Sequence, residues 1–220
     1  MNVLRARFFS AVRSEEGMSL IEVVIAIVIL AILSTASLGV YLSSTNASLD
    51  QQRRQVAVTI ANESMEIVSG WSTGTVASTQ VSALFTARSK DKVEALFAKD
   101  TTVDGVDVTY AMWDPSAAAS AVAALPAAIP LSRAVTKNGT DFTAETLIGF
   151  CLQKIAGGDC VKVGAYNPTT IPAPKPPTGY TQLTRAIVVV NWTAGCPTAG
   201  CSYTTATLID RNADLEWKAP

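Results

Sequence analysis

The chain contains no histidine. That absence removes every Ser-His-Asp and Cys-His catalytic arrangement and every histidine-ligated metal site. It also lacks a charge surplus of either sign, since 17 basic and 18 acidic residues leave a net charge of −1. A nucleic-acid surface normally shows as a basic excess, so no nucleic-acid partner is expected. No aromatic or charged cluster specifies a ligand. The Asp, Glu, Ser and Lys residues form no recognisable catalytic arrangement, and neither an enzymatic activity nor a cofactor is expected.

What the chain does have is concentrated at its N-terminus. Residues 1–17 carry Arg5, Arg7 and Arg13 and end in Glu15-Glu16-Gly17. Met18-Ser19-Leu20-Ile21-Glu22 follows, and from Val23 to Leu42 no residue is charged. As a helix that run would reach ~30 Å, about the hydrocarbon thickness of a bilayer. Glu22 stands alone at its edge. An ionised carboxylate inside a membrane costs roughly 2.5–3.5 kcal/mol on insertion scales, so an acid placed there is expected to serve a function. The arrangement departs from an ordinary secretory signal, because the apolar segment is too long and no small-residue cleavage site follows it. The leader's arginines predict a cytoplasmic N-terminus and a chain that faces outward beyond Leu42.

Gly17 followed by Met18-Ser19-Leu20-Ile21-Glu22 and a long apolar helix resembles the processing site of type IV prepilins and type II secretion pseudopilins. The resemblance covers roughly Gly17 to Trp71. It implies cleavage by a membrane-embedded prepilin peptidase between Gly17 and Met18, then methylation of the new amino terminus at Met18. It also implies an assembly role for Glu22, which in the family is thought to neutralise the amino terminus of a neighbouring subunit. Met18 stands where major pilins mostly carry phenylalanine, which tilts the resemblance toward a minor subunit. In type IV pilins a helix-breaking residue, usually proline, often stands where Gly39 falls here, and the helix loosens there in the filament. The surrounding stretch, Ser34 to Asn46, is rich in poor helix formers, though a glycine tolerated in a membrane helix would look the same.

The implied architecture is α+β. A leader over residues 1–17 is removed. A helix over residues 18–70 carries a membrane span at about 23–42, and a globular domain over residues 71–220 holds a small antiparallel sheet. The implied role is a minor pilin that takes part in assembling or priming a type IV pilus. The alternatives are a type II secretion pseudopilin and an adhesive minor pilin displayed at the tip. Expected partners are the prepilin peptidase, other pilin subunits through the N-terminal helix, the assembly platform and the membrane. The expected destination is a cell-surface pilus or pseudopilus.

The four cysteines come as two close pairs, Cys151/Cys160 and Cys196/Cys201. A domain outside the membrane permits disulfides, and of the three possible pairings proximity favours Cys151–Cys160 and Cys196–Cys201. A four-cysteine zinc site is the rival, but gaps of eight and four residues fit the usual knuckle spacing poorly. No metal is expected.

Farther along, Val56, Ala57, Ile60, Ser64, Ile67 and Val68 share one helical face. Val58 and Met65 interrupt the opposite face and are expected to meet a second partner. Gly70 is expected to stop the helix in a left-handed conformation. Residues 93–99 read as a short helix, and residues 106–113 as a strand after the Asp104-Gly105 turn. Asp114-Pro115 reads as a helix start, the alanine-rich residues 116–125 as its continuation or as a pliable loop ended by Pro126 and Pro130, and the prolines of residues 167–177 as an extended loop. Residues 184–192 and 203–210 read as antiparallel strands whose connection holds Cys196 and Cys201. Strand-like segments ending at Trp113 and Trp192 loosely resemble the C-terminal halves of V-type minor pilins, the type IV pilus modification proteins.

Overall fold

A computed structural model describes residues 19–72, 84–115, 117, 127–164, 166 and 175–209. The chain divides into two compact units, Met1–Leu49 and Asp50–Pro220. Helix α1 (Leu20–Ser72) contributes its first part to one unit and its second part to the other. In the N-terminal unit the helical residues are exposed almost without exception, including Leu20, Ile25, Leu30 and Leu33.

The second unit is an antiparallel sheet covered on both faces. Its strands are β1 (Tyr110–Ala111), β2 (Ser132–Lys137), β3 (Thr140–Lys154), β4 (Tyr180–Trp192) and β5 (Cys201–Ile209). The order is β1-β3-β4-β5, with β2 pairing β3 on the same edge as β1. Strands β3 and β4 are antiparallel in a register that pairs Phe142 with Trp192 and Ala144 with Val190. Because side chains alternate across a strand, their even-numbered residues face α1 and the odd-numbered ones face the other way. On the α1 side Ala57, Ile60 and Ala61 pack on Phe142, Ala144, Val188, Val190 and Trp192. On the far side Val93, Leu96 and Phe97 of α2 (Lys90–Lys99) pack on Leu147, Ile187 and Val189. Fully burying such side chains contributes about 1.5–3 kcal/mol each, and burial on two faces explains the unbroken apolar stretches Leu147–Leu152 of β3 and Ala186–Val190 of β4.

Several sequence expectations change. Gly70 is helical, without the positive φ of a left-handed stop, and α1 continues to Ser72. Met65, expected to meet a second partner, is half-buried and packs against two clusters of the domain's own core. Val58 is half-buried. The strand expected over residues 106–113 shrinks to Tyr110–Ala111, because residues 104–108 form turns around Gly105 and place Val106 under α2. The Asp114 carboxylate accepts the Ala87 N–H at 2.9 Å, and the helix expected to start at Asp114-Pro115 falls on residues outside the described ones. The alanine-rich stretch after it and most of the proline-rich loop lie outside the described residues.

The hairpin of β2 and β3 is absent from the sequence reading. Its turn is Asn138-Gly139, with φ of 52° and 70°. Positive φ at both central residues is the type I′ geometry that suits the right-handed twist of paired strands, and Asn-Gly is its strongest sequence sign. That sign was legible.

Candidate functional site

The N-terminal residues of α1 form the first site. Ser19 opens the helix through its carbonyl oxygen, which accepts the N–H groups of Glu22 at 2.9 Å and Val23 at 3.3 Å. Glu22 therefore stands in the first helical turn, where an acid interacts favourably with the free N–H groups and the positive end of the helix dipole. It is exposed, as are the apolar residues after it. Gly17 and Met18 lie outside the described residues.

Among the described residues one helix is long and apolar enough to cross a membrane. Its most apolar window has a mean hydropathy of 2.7, and none of that window is buried within the protein. An apolar surface of this size is costly in water, and its natural surroundings are lipid or other apolar helices. The hydroxyls within the run do not contradict this. Ser34 donates to the Leu30 carbonyl at 2.7 Å, Thr35 to Ile32 at 2.9 Å and Ser37 to Leu33 at 2.8 Å. Each hydroxyl is thus satisfied inside the helix, and such bonds also tend to bend it. Gly39 follows directly; it is helical, and nothing lies within 4 Å of where a Cβ would stand.

In the second unit both cysteine pairs are bonded. Cys151 joins Cys160 with a Cα–Cα distance of 5.5 Å, and Cys196 joins Cys201 at 5.6 Å. The first ties β3 to the segment that returns beside it as the Leu152–Val161 bridge. The second closes the β4–β5 connection, where Trp192 pairs directly with Cys201.

A polar centre on the α2 side of the sheet escaped the sequence reading. Glu145, a buried carboxylate on β3, accepts Lys99 Nζ on both oxygens, at 2.5 and 2.6 Å, and Asn191 Nδ2 at 3.1 Å. Beside it Asp100 is buried, and its Oδ2 has no hydrogen-bond partner. Burial pushes the Asp100 carboxyl above the usual aspartate range, the negative charge of Glu145 adds to the shift, and Lys99 partly offsets it. The only signal in the sequence was an acid close before the apolar stretch Leu147–Leu152.

Residues 12–38 match the family model described as the prokaryotic N-terminal methylation motif. No curated protein and no solved structure matches the chain. The matched residues take in Gly17, Met18, Glu22 and most of the exposed apolar run, so the N-terminal segment carries the methylation motif.

Proposed function

We propose that the protein is a minor pilin, a structural subunit that takes part in assembling or priming a type IV pilus. The observation that carries this reading is Glu22, the lone acid in the first turn of an exposed apolar helix, inside the matched methylation motif. In this reading the prepilin peptidase cuts between Gly17 and Met18 and the new terminus at Met18 is methylated. The mature chain waits in the bilayer by its span at about 23–42, with the C-terminal domain outside. It then enters the filament by exchanging lipid contacts for contacts with the apolar helices of other subunits. That exchange is nearly neutral in hydrophobic energy, so register must come from a polar mark. Glu22 supplies it by pairing with the amino terminus of a neighbouring subunit. Gly39, just after three hydroxyls bonded back to the helix, is the place where the helix loosens during assembly. The role is structural rather than catalytic.

The test is intact-mass analysis and N-terminal sequencing of the protein from cells with an active prepilin peptidase, with sheared filaments and membranes collected separately. The expected result is a chain that begins at methylated Met18 and is present in the filament fraction. A chain that still begins at Met1 would overturn the reading.

A further inference from the structure

The polar centre on the α2 side of the sheet brings an amine, a carboxylate and a carboxamide to one point. Lys99 Nζ, at the end of α2, donates to Glu145 Oε1 at 2.5 Å and to Oε2 at 2.6 Å. Asn191 Nδ2, on β4, donates to the same Oε2 at 3.1 Å. A carboxylate only accepts, so the Asn191 amide turns its nitrogen toward Glu145 and shares one oxygen with the amine. We propose that Lys99 and Asn191 join in an intramolecular isopeptide bond, made by the chain on itself with Glu145 carrying the protons.

The reaction balances without a co-reactant. Glu145 takes a proton from the Lys99 ammonium, and the freed Nζ lone pair forms a bond to Asn191 Cγ. Glu145 gives its proton to Nδ2 and takes the surplus proton from Nζ. The Cγ–Nδ2 bond then breaks, and the departing ammonia removes the proton from Glu145. A carboxamide and a lysine ammonium thus become an amide link and a free ammonium ion, and Glu145 is restored. A group that carries protons must lie within about 2.6–3.2 Å of the atoms it serves, and Glu145 has both nitrogens in that reach. The fold also holds the two reactants together, which removes the entropy cost that slows amide exchange between separate molecules.

The setting separates this contact from the other ion pairs among the described residues. The Glu145 side chain is 8% exposed, whereas the acids of the other pairs are 40 to 52% exposed. Its cross-strand partner Val189 lies in the apolar cluster with Leu96 and Phe97 of α2. The opposite side is open. The Lys99 side chain is 57% exposed, and Lys99, Thr143 and Asn191 line a cavity of about 520 Å³ through which ammonia can leave. A plain salt bridge needs no carboxamide on the same oxygen. Bonding Lys99 to Glu145 itself would require a carboxylate oxygen to depart, and only the carboxamide offers ammonia. The link ties the end of α2 to β4 beside Trp192, which pairs with Cys201 of the disulfide-closed connection.

The experiment is intact-mass analysis of the full chain, purified from membranes in detergent, reduced to open both disulfides, and held at neutral pH until its mass is constant. Lys99→Arg is the reference, because arginine keeps a cation beside Glu145 and cannot make the bond. After allowance for the substitution, the native chain is expected to be lighter by one ammonia molecule. Proteolysis should give a branched peptide that joins the Lys99 and Asn191 segments, with no tryptic cleavage after Lys99. Glu145→Gln keeps the shape and should cut the linked fraction formed in the same time by about tenfold or more. Should that variant fail to fold, Asn191→Ala is expected to restore the full mass and cleavage after Lys99. A native chain of full mass would overturn the proposal. So would a loss of ammonia that maps elsewhere, such as a succinimide at Asn138-Gly139, or an equal linked fraction in folded Glu145→Gln. The proposal does not depend on the pilin reading, since the link and the processing at Met18 are read from different peptides.

Discussion

Arg88 donates through Nη2 to the carbonyl oxygen of Thr146 at 2.6 Å and so ties the segment before α2 to the central strand. The guanidinium is fully buried and also donates to the Ile129 carbonyl at 3.2 Å. Burial lowers its pKa to about 9, so it is still charged at neutral pH. Two carbonyl oxygens hold that charge, and no ion pair with a carboxylate is formed among the described residues. Arg88→Ala removes both bonds and leaves a cavity, and is expected to cost about 3–5 kcal/mol by denaturant unfolding. Arg88→Met refills the space without the buried charge and should cost clearly less than the alanine variant. Equal losses would mean that the hydrogen bonds, not the packing, carry the role.

Two glycines of the sheet separate conformational from steric cost. Gly139 has φ of 70° in the β2–β3 turn with nothing near its missing Cβ, so Gly139→Ala should cost about 1–2 kcal/mol from backbone strain alone. At Gly149 a Cβ would fall on the Tyr110 carbonyl oxygen, where β1 pairs with β3. Gly149→Ala must push β1 away and is expected to lower the unfolding midpoint more than Gly139→Ala.

How much of this could be read from the sequence follows from which forces are local. The prepilin-type N-terminus, α1, the core of α2 and the β4–β5 pair were legible. Periodicity and β-branched runs report directly on which side of an element is buried. The exposed Gln55, Thr59, Asn62 and Glu66 and the buried Ala57, Ile60 and Val68 follow the 3.6-residue pattern. The Asn138-Gly139 hairpin was legible and passed over. Other features were not legible. Alternation over residues 106–113 suggested a longer strand, but the turns around Gly105 are held by contacts with α2 that no local pattern shows. Lys99, Glu145 and Asn191 lie 46 residues apart at each step of their network. The pairing of β3 with β4 brings Glu145 and Asn191 together, and the packing of α2 on the sheet adds Lys99.

Removing the disulfide at the β4–β5 connection should weaken the sheet without unfolding it. The loop between Cys196 and Cys201 is short, so in the chain-entropy model Cys196→Ser with Cys201→Ser costs about 2 kcal/mol. Chemical denaturation of the double variant measures it, and the far-UV spectrum is expected to remain that of the native sheet.

Asp100 gives the fold a predictable pH dependence. Its carboxyl titrates above the ordinary aspartate value in the folded state, so over the interval between the two values the native state binds more protons than the unfolded one. The group's contribution to stability therefore grows as pH falls through the folded value toward about 3.9, and the cost is fully present above the folded value. Asp100→Asn keeps the backbone bonds that the residue makes at the end of α2, to the Leu96 carbonyl and from the Val103 N–H. It should raise the unfolding midpoint at pH 7, and the gain should vanish near pH 3. A gain that is constant with pH would show that the charge is not its source.

Glu22 separates a filament subunit from a plain membrane anchor. If α1 only anchors the domain, the carboxylate is a liability in the apolar run, and Glu22→Val should insert at least as well as the native chain. If the protein assembles as proposed, the variant should still be cleaved at Gly17 and inserted, but a neighbour's amino terminus would be left without its partner in the filament core. Breaking a buried ion pair in this way costs about 3–5 kcal/mol, which corresponds to about a hundredfold or more in occupancy. Sheared filaments and membranes from cells carrying either form, compared by quantitative immunoblot, should show processed variant in the membrane and little in the filament. Glu22→Gln, which keeps the shape and a hydrogen bond while losing the charge, should fall between the two. Processed Glu22→Val that enters filaments at the native level would remove the mechanism, because register would then come from the apolar helix surface alone.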